Sequence, residues 1–157
     1  LVARIRTVLG QSGLAPSRLV LEMTDKALLD DGRQVLEIMQ GLKALGVQLL
    51  MDDFGSGYSA LQYLRTFPLD GLKIDSSLVA GLGGNQAGHS IVQAIVDLGH
   101  ALSLKVIAEG VESPEQYQAL QDIQCDQAQG PHLSPPLDSD AWVRLCTELS
   151  QASRFTT

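Results

Sequence analysis

Polar side chains recur along this sequence at the points where short apolar segments end. They are, in chain order, Glu22, Asp52, Asp53, Lys73, Asp75, Glu109 and Gln129. Any one of them alone could be an ordinary loop residue, solvated or capping the next helix. Because charged groups are rarely buried unless they are paired or bind a metal, so regular a placement favours a shared site.

The chemistry that these residue types suit is metal-assisted hydrolysis. Carboxylates and an amide, without Cys or His at ligand spacing, favour a hard divalent cation such as Mg²⁺ or Mn²⁺ over structural zinc. A lysine among them could hold or deprotonate a metal-bound water, and phosphate esters are the natural substrates. His89 and His100 lie on or beside a predicted helix, and His132 has no partner at ligand spacing.

Hydrophobic patterning predicts alternating strands and helices that position these residues. Strands are predicted over 19–23, 47–51, 72–74, 104–108 and, more weakly, 126–133. Helices are predicted over 2–9, 33–45, 59–64, 90–102, 114–121 and 138–149. Short connections between them indicate a parallel sheet with right-handed crossovers, in which the strand ends meet at one rim. A barrel and a doubly wound sheet both agree with this pattern.

Length and composition are those of one soluble domain. The chain has 157 residues, 45% of them apolar and 18% charged, and a formal net charge of −7. That charge argues against nonspecific nucleic-acid binding, although a bound metal can still attract a small phosphorylated ligand. Cys125 and Cys146 are too few for a disulfide framework. With no apolar run of ~20 residues and no signal-peptide pattern, a cytoplasmic location is expected.

Five segments resemble, in order and spacing, the motifs of EAL domains. They are 21–25 (LEMTD), 52–61 (DDFGSGYSAL), 72–75 (LKID), 108–112 (AEGVE) and 129–130 (QG). The resemblance implies a TIM-like barrel that hydrolyses cyclic-di-GMP to linear pGpG with Mg²⁺ or Mn²⁺. It implies an α/β fold over residues 1–149, an incomplete TIM-like (β/α) barrel of about five parallel strands with flanking helices. Residues 150–157 are expected to form a flexible tail.

The same resemblance implies roles for individual residues. Lys73 and Glu109 would position and activate the attacking water. The implied metal-site residues are Glu22, Asp52 and Asp53. The implied supporting residues are Asp25, Asp75, Glu112 and Gln129, and the implied substrate-binding residues are Gly130 and Ser134.

Four positions depart from the family pattern. Asp25 stands where the family has the longer Glu that steadies the loop after DDFG, and Ser76 stands where Arg is common. Pro131 replaces an aromatic residue, and Pro135 replaces a basic one. The last three changes remove contacts to guanine or phosphate, so a reduced affinity for the dinucleotide is expected.

The EAL signature itself and the asparagine ligand of the family would precede Leu1, with roughly three of about eight strands. The chain is therefore expected to be part of a longer domain and inactive alone, with upstream sensory, GGDEF or membrane-anchoring segments left open. An open sheet edge has unpaired backbone groups. We expect that edge to pair with a second copy, as a homodimer, or to be covered by one of the chain's own segments.

Two other functions compete with hydrolysis. A degenerate EAL module would bind cyclic-di-GMP or a protein partner without turnover, which the altered segment 129–136 favours. Retention of Glu22, Asp52, Lys73 and Glu109 favours an active parent domain instead. An unrelated aldolase-type or enolase-type barrel would share the rim carboxylates but not the five ordered motifs.

Overall fold

The computed structural model describes residues 1–24, 32–56, 61–82 and 86–152. The helices are α1 (Val2–Ser12), α2 (Gly32–Lys43), α3 (Leu61–Thr66), α4 (Ser76–Val79), α5 (Gln86–Ala101), α6 (Pro114–Asp122) and α7 (Ser139–Ala152). The strands are β1 (Val20–Thr24), β2 (Gln48–Phe54), β3 (Gly71–Ile74), β4 (Lys105–Ala108) and β5 (Gln127–Ala128). None of the helices in these described ranges is long and apolar enough to cross a bilayer.

The sheet orders its strands as they occur in the chain, β1-β2-β3-β4-β5, and every pairing is parallel. In a doubly wound sheet, the order in which successive strands are added reverses at a switch point. Right-handed crossovers that always step the same way put the connecting helices on one side of the sheet, as in a TIM barrel. This order confirms the predicted fold class and separates the barrel from the doubly wound alternative.

The outer face of the sheet forms the hydrophobic core with the helices. Leu49 and Met51 of β2 and Leu72 and Ile74 of β3 alternate along their strands and are fully buried. They belong to one cluster with helical side chains that include Met39, Leu42, Val92, Val96 and Leu120. Burial of each such side chain contributes about 1.5–3 kcal/mol, so this layer stabilises the strand arrangement.

The inner face has a different composition. Because side chains alternate along a strand, Leu50, Lys73 and Ile107 point away from the helix layer. Strand pairing sets Glu22 opposite Leu50, and Lys73 opposite Ile107. A charged pair thus shares this face with apolar neighbours, close to the carboxyl ends of the strands.

Several element boundaries differ from the sequence-based expectations. Helix α1 continues past residue 9 to Ser12 and ends at Gly13, whose φ of 69° is left-handed. Helix α5 begins at Gln86, four residues earlier than predicted, and β5 has two residues where eight were expected. Helix α7 extends to Ala152, whereas residues 153–157 of the expected tail lie outside the described part of the chain.

Aspartates tie the amino ends of two strands to the preceding helix. Asp70, just before β3, accepts a hydrogen bond from the backbone N–H of Leu49 at 2.8 Å and pairs with Lys43 Nζ at 2.6 Å. The same arrangement recurs two repeats later, before β5, where Asp126 Oδ2 lies 2.7 Å from Val106 N and 3.1 Å from His100 Nε2. His100 therefore lies at the end of the strands opposite the carboxylate-bearing rim, as its place on the helix predicted.

Candidate functional site

Lys73 is the centre of the polar cluster on the inner face. The residue is only 5% exposed. Its Nζ lies 2.7 Å from Glu22 Oε2 and 3.1 Å from Asp52 Oδ1, and it also contacts Glu109 Oε1. The three carboxylates come from β1, from β2 and from the residue after β4. The structure thus brings together four residues that the sequence placed on four successive strands.

The protonation of Lys73 follows from opposing influences. Burial is the largest single one and lowers the pKa of Lys73. Hydrogen bonds to Glu109, Glu22 and Asp52 raise it, and together they outweigh burial, so the pKa of Lys73 lies above its ordinary value. Lys73 in this arrangement is a charged hydrogen-bond donor, which favours holding a water or phosphate oxygen over removing a proton.

A bulge at the end of β2 explains how one strand contributes two neighbouring carboxylates. The pairing with β3 runs Leu50 to Gly71 and Met51 to Leu72, then shifts so that Phe54 pairs with Ile74. Asp52 and Asp53 together therefore oppose a single residue of β3. In a regular strand, consecutive side chains would point to opposite faces of the sheet.

The bulge places Asp53 beside its neighbour. Asp53 has a φ of 55°, in the left-handed region, and its N–H donates to Asp52 Oδ1 at 3.1 Å. Oxygen atoms of Asp52, Asp53 and Glu109 all lie within 4.8 Å of one another. Lys73 offsets part of the repulsion among these carboxylates through Asp52 and Glu109, and their oxygens are the ligands that Mg²⁺ and Mn²⁺ prefer. These residues therefore fit the implied metal.

Gln129 joins the cluster from the residue after β5. Its Nε2 donates to Glu109 Oε1 at 2.7 Å, the same oxygen that Lys73 contacts. Gly130 follows at a close crossing of two chain segments, where a Cβ would lie 2.2 Å from the backbone nitrogen of Val111. The segment therefore requires glycine at this position.

Other residues singled out in the sequence lie in different surroundings. Asp75 caps α4 by accepting from the Ser77 N–H at 2.9 Å. Glu112 is exposed, and Ser134 Oγ donates to the carbonyl of Pro135 at 3.0 Å. Asp25 lies outside the described residues. The supporting or substrate-binding roles of these four residues stay predictions.

Gln116 supports the rim and was missed in the sequence. Its Oε1 accepts from the backbone N–H groups of Glu112 at 2.7 Å and Ser113 at 3.1 Å. The Ser113 hydroxyl accepts from Gln116 N in return, so the two residues form a capping box at the start of α6. The spacing Ser-x-x-Gln before a helix is the signal that would have identified it.

Comparison with known proteins identifies the family. The sequence profile of the EAL domain matches residues 1–136. The chain belongs to the EAL domain family. This confirms the resemblance carried by the five motifs. Among curated relatives, the cyclic di-GMP phosphodiesterase NbdA of Pseudomonas aeruginosa is 44% identical over 137 residues, which cover 87% of this chain and 18% of NbdA.

Solved EAL structures share the fold. The c-di-GMP complex of the PaMucR phosphodiesterase is 39% identical, with a TM-score of 0.84 over 90% of this chain and 57% of the PaMucR chain. The manganese and cy-diGMP complex of Klebsiella pneumoniae BlrP1 is 32% identical, with a TM-score of 0.77 over 82% of this chain and 33% of BlrP1. The chain thus spans about a fifth of the curated relative and little more than half of the PaMucR chain.

Proposed function

We propose that this EAL chain contributes to a metal-dependent phosphodiesterase that hydrolyses cyclic-di-GMP to linear pGpG. The observation that carries the proposal is the set of three carboxylates around the buried ammonium of Lys73, with Asp53 turned onto the same rim. A protein that only bound the dinucleotide would not need this set of acids. The names of NbdA and of the PaMucR and BlrP1 complexes support the same substrate and a divalent metal.

In this proposal, Glu22, Asp52 and Asp53 hold Mg²⁺ or Mn²⁺. The carboxylate oxygens of Asp52 and Asp53 cluster with that of Glu109, which is close enough to share the ion, whereas Glu22 lies outside this cluster and pairs with Lys73 at 2.7 Å. The bound ion would polarise the phosphoryl oxygen and lower the pKa of a coordinated water. Glu109 accepts a hydrogen bond from Gln129, which fixes the orientation of its carboxylate toward the attacking water. Lys73, which keeps its proton, donates to the water or to a phosphate oxygen and offsets the charge of the carboxylates.

The proposed partner of the protein, apart from cyclic-di-GMP, is a second copy of the chain. Strand β1 pairs with β2 on one side only among the described strands, and Val20 on it is 40% exposed. An open parallel edge has unpaired N–H and C=O groups that another strand can satisfy. Pairing of this edge with another copy is therefore part of the proposal, and the cytoplasmic location stays a prediction.

The test compares this chain with one extended upstream by about 100 residues, an extension set by the usual size of such barrels. Hydrolysis of cyclic-di-GMP with Mn²⁺ is measured by chromatography of the product. We expect turnover in the longer chain, loss of turnover in its Asp52→Asn variant, and no turnover in the shorter chain. Ser90→Ala on α5, whose hydroxyl bonds the Gln86 carbonyl, is the control that leaves turnover unchanged.

The main alternative is a degenerate EAL module, which Pro131 and Pro135 favour because they depart from the family pattern. Binding of cyclic-di-GMP by the longer chain without any turnover would support this alternative and contradict hydrolysis. Absence of both binding and turnover in the longer chain would contradict both functions.

A further inference from the structure

The turn that follows β2 controls the direction of Asp53. Asp53 has a left-handed φ of 55°, a conformation that non-glycine residues adopt at a cost and keep only where the surroundings fix it. Without that conformation, the alternation of the strand would carry the Asp53 carboxylate away from Asp52 and toward the opposite face. The position of the second carboxylate therefore depends on what holds the backbone of Asp53.

Ser56 provides that restraint. Its hydroxyl donates to the carbonyl oxygen of Asp53 at 2.9 Å, and its backbone N–H donates to the same oxygen at 3.2 Å. The backbone bond closes a four-residue turn, and any residue at position 56 except proline could make it. The hydroxyl bond depends on the side chain, and it fixes the peptide plane that follows Asp53.

Gly55 completes the turn on its inner side. Its φ is 99°, and a Cβ at this position would lie 2.4 Å from Leu78 Cδ1. The turn thus lies close to α4, and its positive φ at position 55 favours glycine. The other residue of the turn with a positive φ is Asp53, and this is the one whose carbonyl the Ser56 hydroxyl contacts.

We infer that Ser56 is a positioning residue that acts through Asp53. It holds the backbone of Asp53 in the left-handed conformation, so that Asp52 and Asp53 face one divalent cation together with Glu109. The inference rests on the proposed function for the identity of the cation. It adds a residue that touches no oxygen of the carboxylate cluster but sets where one of its members points.

The experiment measures Mn²⁺ binding to the full chain by electron paramagnetic resonance of the free ion. Loss of one hydroxyl hydrogen bond costs about 1 kcal/mol, so Ser56→Ala is expected to weaken Mn²⁺ binding about fivefold. Ser56→Thr keeps the hydroxyl and is expected to restore the wild-type affinity. Ser90→Ala removes a hydroxyl that bonds a main-chain carbonyl far from the site and is expected to bind Mn²⁺ like the wild type.

A second measurement reports on Asp53 itself in the absence of metal. The Cα and Cβ chemical shifts of Asp53 distinguish left-handed from extended backbone, and Ser56→Ala is expected to move both toward extended values. Unchanged Asp53 shifts in Ser56→Ala would overturn the inference, and so would changed shifts with an unchanged affinity for Mn²⁺. Failure of the proposed function is a different result, namely no turnover of cyclic-di-GMP by the extended chain, whereas the effects of Ser56→Ala on the Asp53 shifts and on Mn²⁺ affinity do not depend on turnover.

Discussion

At the scale of single residues, the site is organised around one buried cation. Lys73 contributes a positive charge where Glu22, Asp52 and Glu109 converge. A charge that is shielded from water is tolerated because its partners compensate the lost hydration. Two of these carboxylates, those of Asp52 and Glu109, also belong with Asp53 to the group that suits a divalent ion, so a bound metal would share them with Lys73.

Removal of the Lys73 charge is expected to destabilise the fold, because Glu22, Asp52 and Glu109 would then repel one another without a compensating charge. Lys73→Met keeps the length of the side chain but leaves three carboxylates uncompensated, and we expect a loss of about 2 kcal/mol in the free energy of unfolding. This expected loss is smaller than the loss for a fully buried ion pair, because the carboxylates here are partly solvated. Urea unfolding measures it, and Mn²⁺ is expected to restabilise Lys73→Met more than the wild type.

Lys105→Met is the matched control for that experiment. Lys105 lies at the start of β4, is exposed, and is remote from the carboxylates at the other end of the strands. Its replacement is expected to change the free energy of unfolding by less than about 0.5 kcal/mol. Equal destabilisation by both substitutions, or an equal response to Mn²⁺, would contradict the proposed balance of charges.

The raised pKa of Lys73 predicts a dependence of stability on alkaline pH. Because the folded-state pKa lies above the unfolded value of about 10.4, the contribution of Lys73 is fully present below that pH. Above it, the unfolded chain loses its proton first, so stability falls as pH rises through the folded-state pKa, by at most about 1.4 kcal/mol per pH unit. Urea unfolding from about pH 8 to about pH 11 measures the slope.

The same pH series on Lys73→Met separates this residue from other alkaline titrations. Ordinary lysines and tyrosines contribute equally to the alkaline slope of the wild type and of Lys73→Met. We expect a shallower alkaline slope in Lys73→Met, and identical slopes would show that Lys73 is not the group responsible.

At the scale of elements, two pairs of neighbouring strands, β2–β3 and β4–β5, are joined by aspartate side chains at the end opposite the site. Asp70 accepts from the backbone N–H of Leu49 and pairs with Lys43, which connects β3, β2 and α2. Asp126 makes the equivalent contacts with the Val106 N–H and with His100, so these contacts are a feature of the repeated strand–helix unit. Stability and chemistry thus occupy opposite ends of the same strands, as in TIM barrels.

The two functions of Asp70 can be separated by substitution. Asp70→Ala leaves the Leu49 N–H without its acceptor and is expected to cost about 1–3 kcal/mol. Asp70→Asn keeps an oxygen acceptor and loses only the ion pair with Lys43, so it should cost less than about 1 kcal/mol. Thermal or urea unfolding measures both. Asp97→Ala, which removes only an exposed contact to Gln93, is the control, and a similar cost for all three would contradict the assignment.

At the scale of the whole molecule, the described sheet has edges at β1 and β5. A groove beside β1 is lined by five apolar residues and one arginine, namely Leu1, Ile5, Val8, Leu19, Leu21 and Arg4. Apolar surface next to unpaired strand backbone is a favourable place for association. The β1 edge is therefore where we expect association with another copy of the chain.

Association through β1 predicts the effect of a charge at the edge. Val20→Lys places an ammonium on the strand, which opposes edge-to-edge pairing, and is expected to shift the chain toward monomer. Sedimentation velocity over a dilution series measures the shift. The control is Ile91→Lys on helix α5. Ile91 is 48% exposed and Val20 is 40% exposed, so the two apolar residues are comparable, and Ile91→Lys is expected to leave association unchanged. A wild-type chain that is monomeric at all concentrations would contradict edge pairing.

The sequence by itself determined the α/β class with a parallel sheet and the types of residue at the rim, whereas the order of the strands in the sheet came from the structure. The class and the residue types follow from local properties: hydrophobic period, glycine positions and the placement of polar residues at the ends of apolar segments. Such properties are encoded within a few residues, which is why α2, β3 and α6 lie close to their predicted ranges. Five ordered motifs were likewise enough to identify the family.

Only the tertiary structure decided how the rim residues face one another. The register between β2 and β3 creates the bulge, and the bulge turns Asp53 onto the same side as Asp52. The protonation of Lys73 depends on carboxylates that are distant in the chain, and Asp75, although within a motif, serves as a helix cap. These features arise from hydrogen bonds and charges between segments far apart in sequence, which local patterns do not specify.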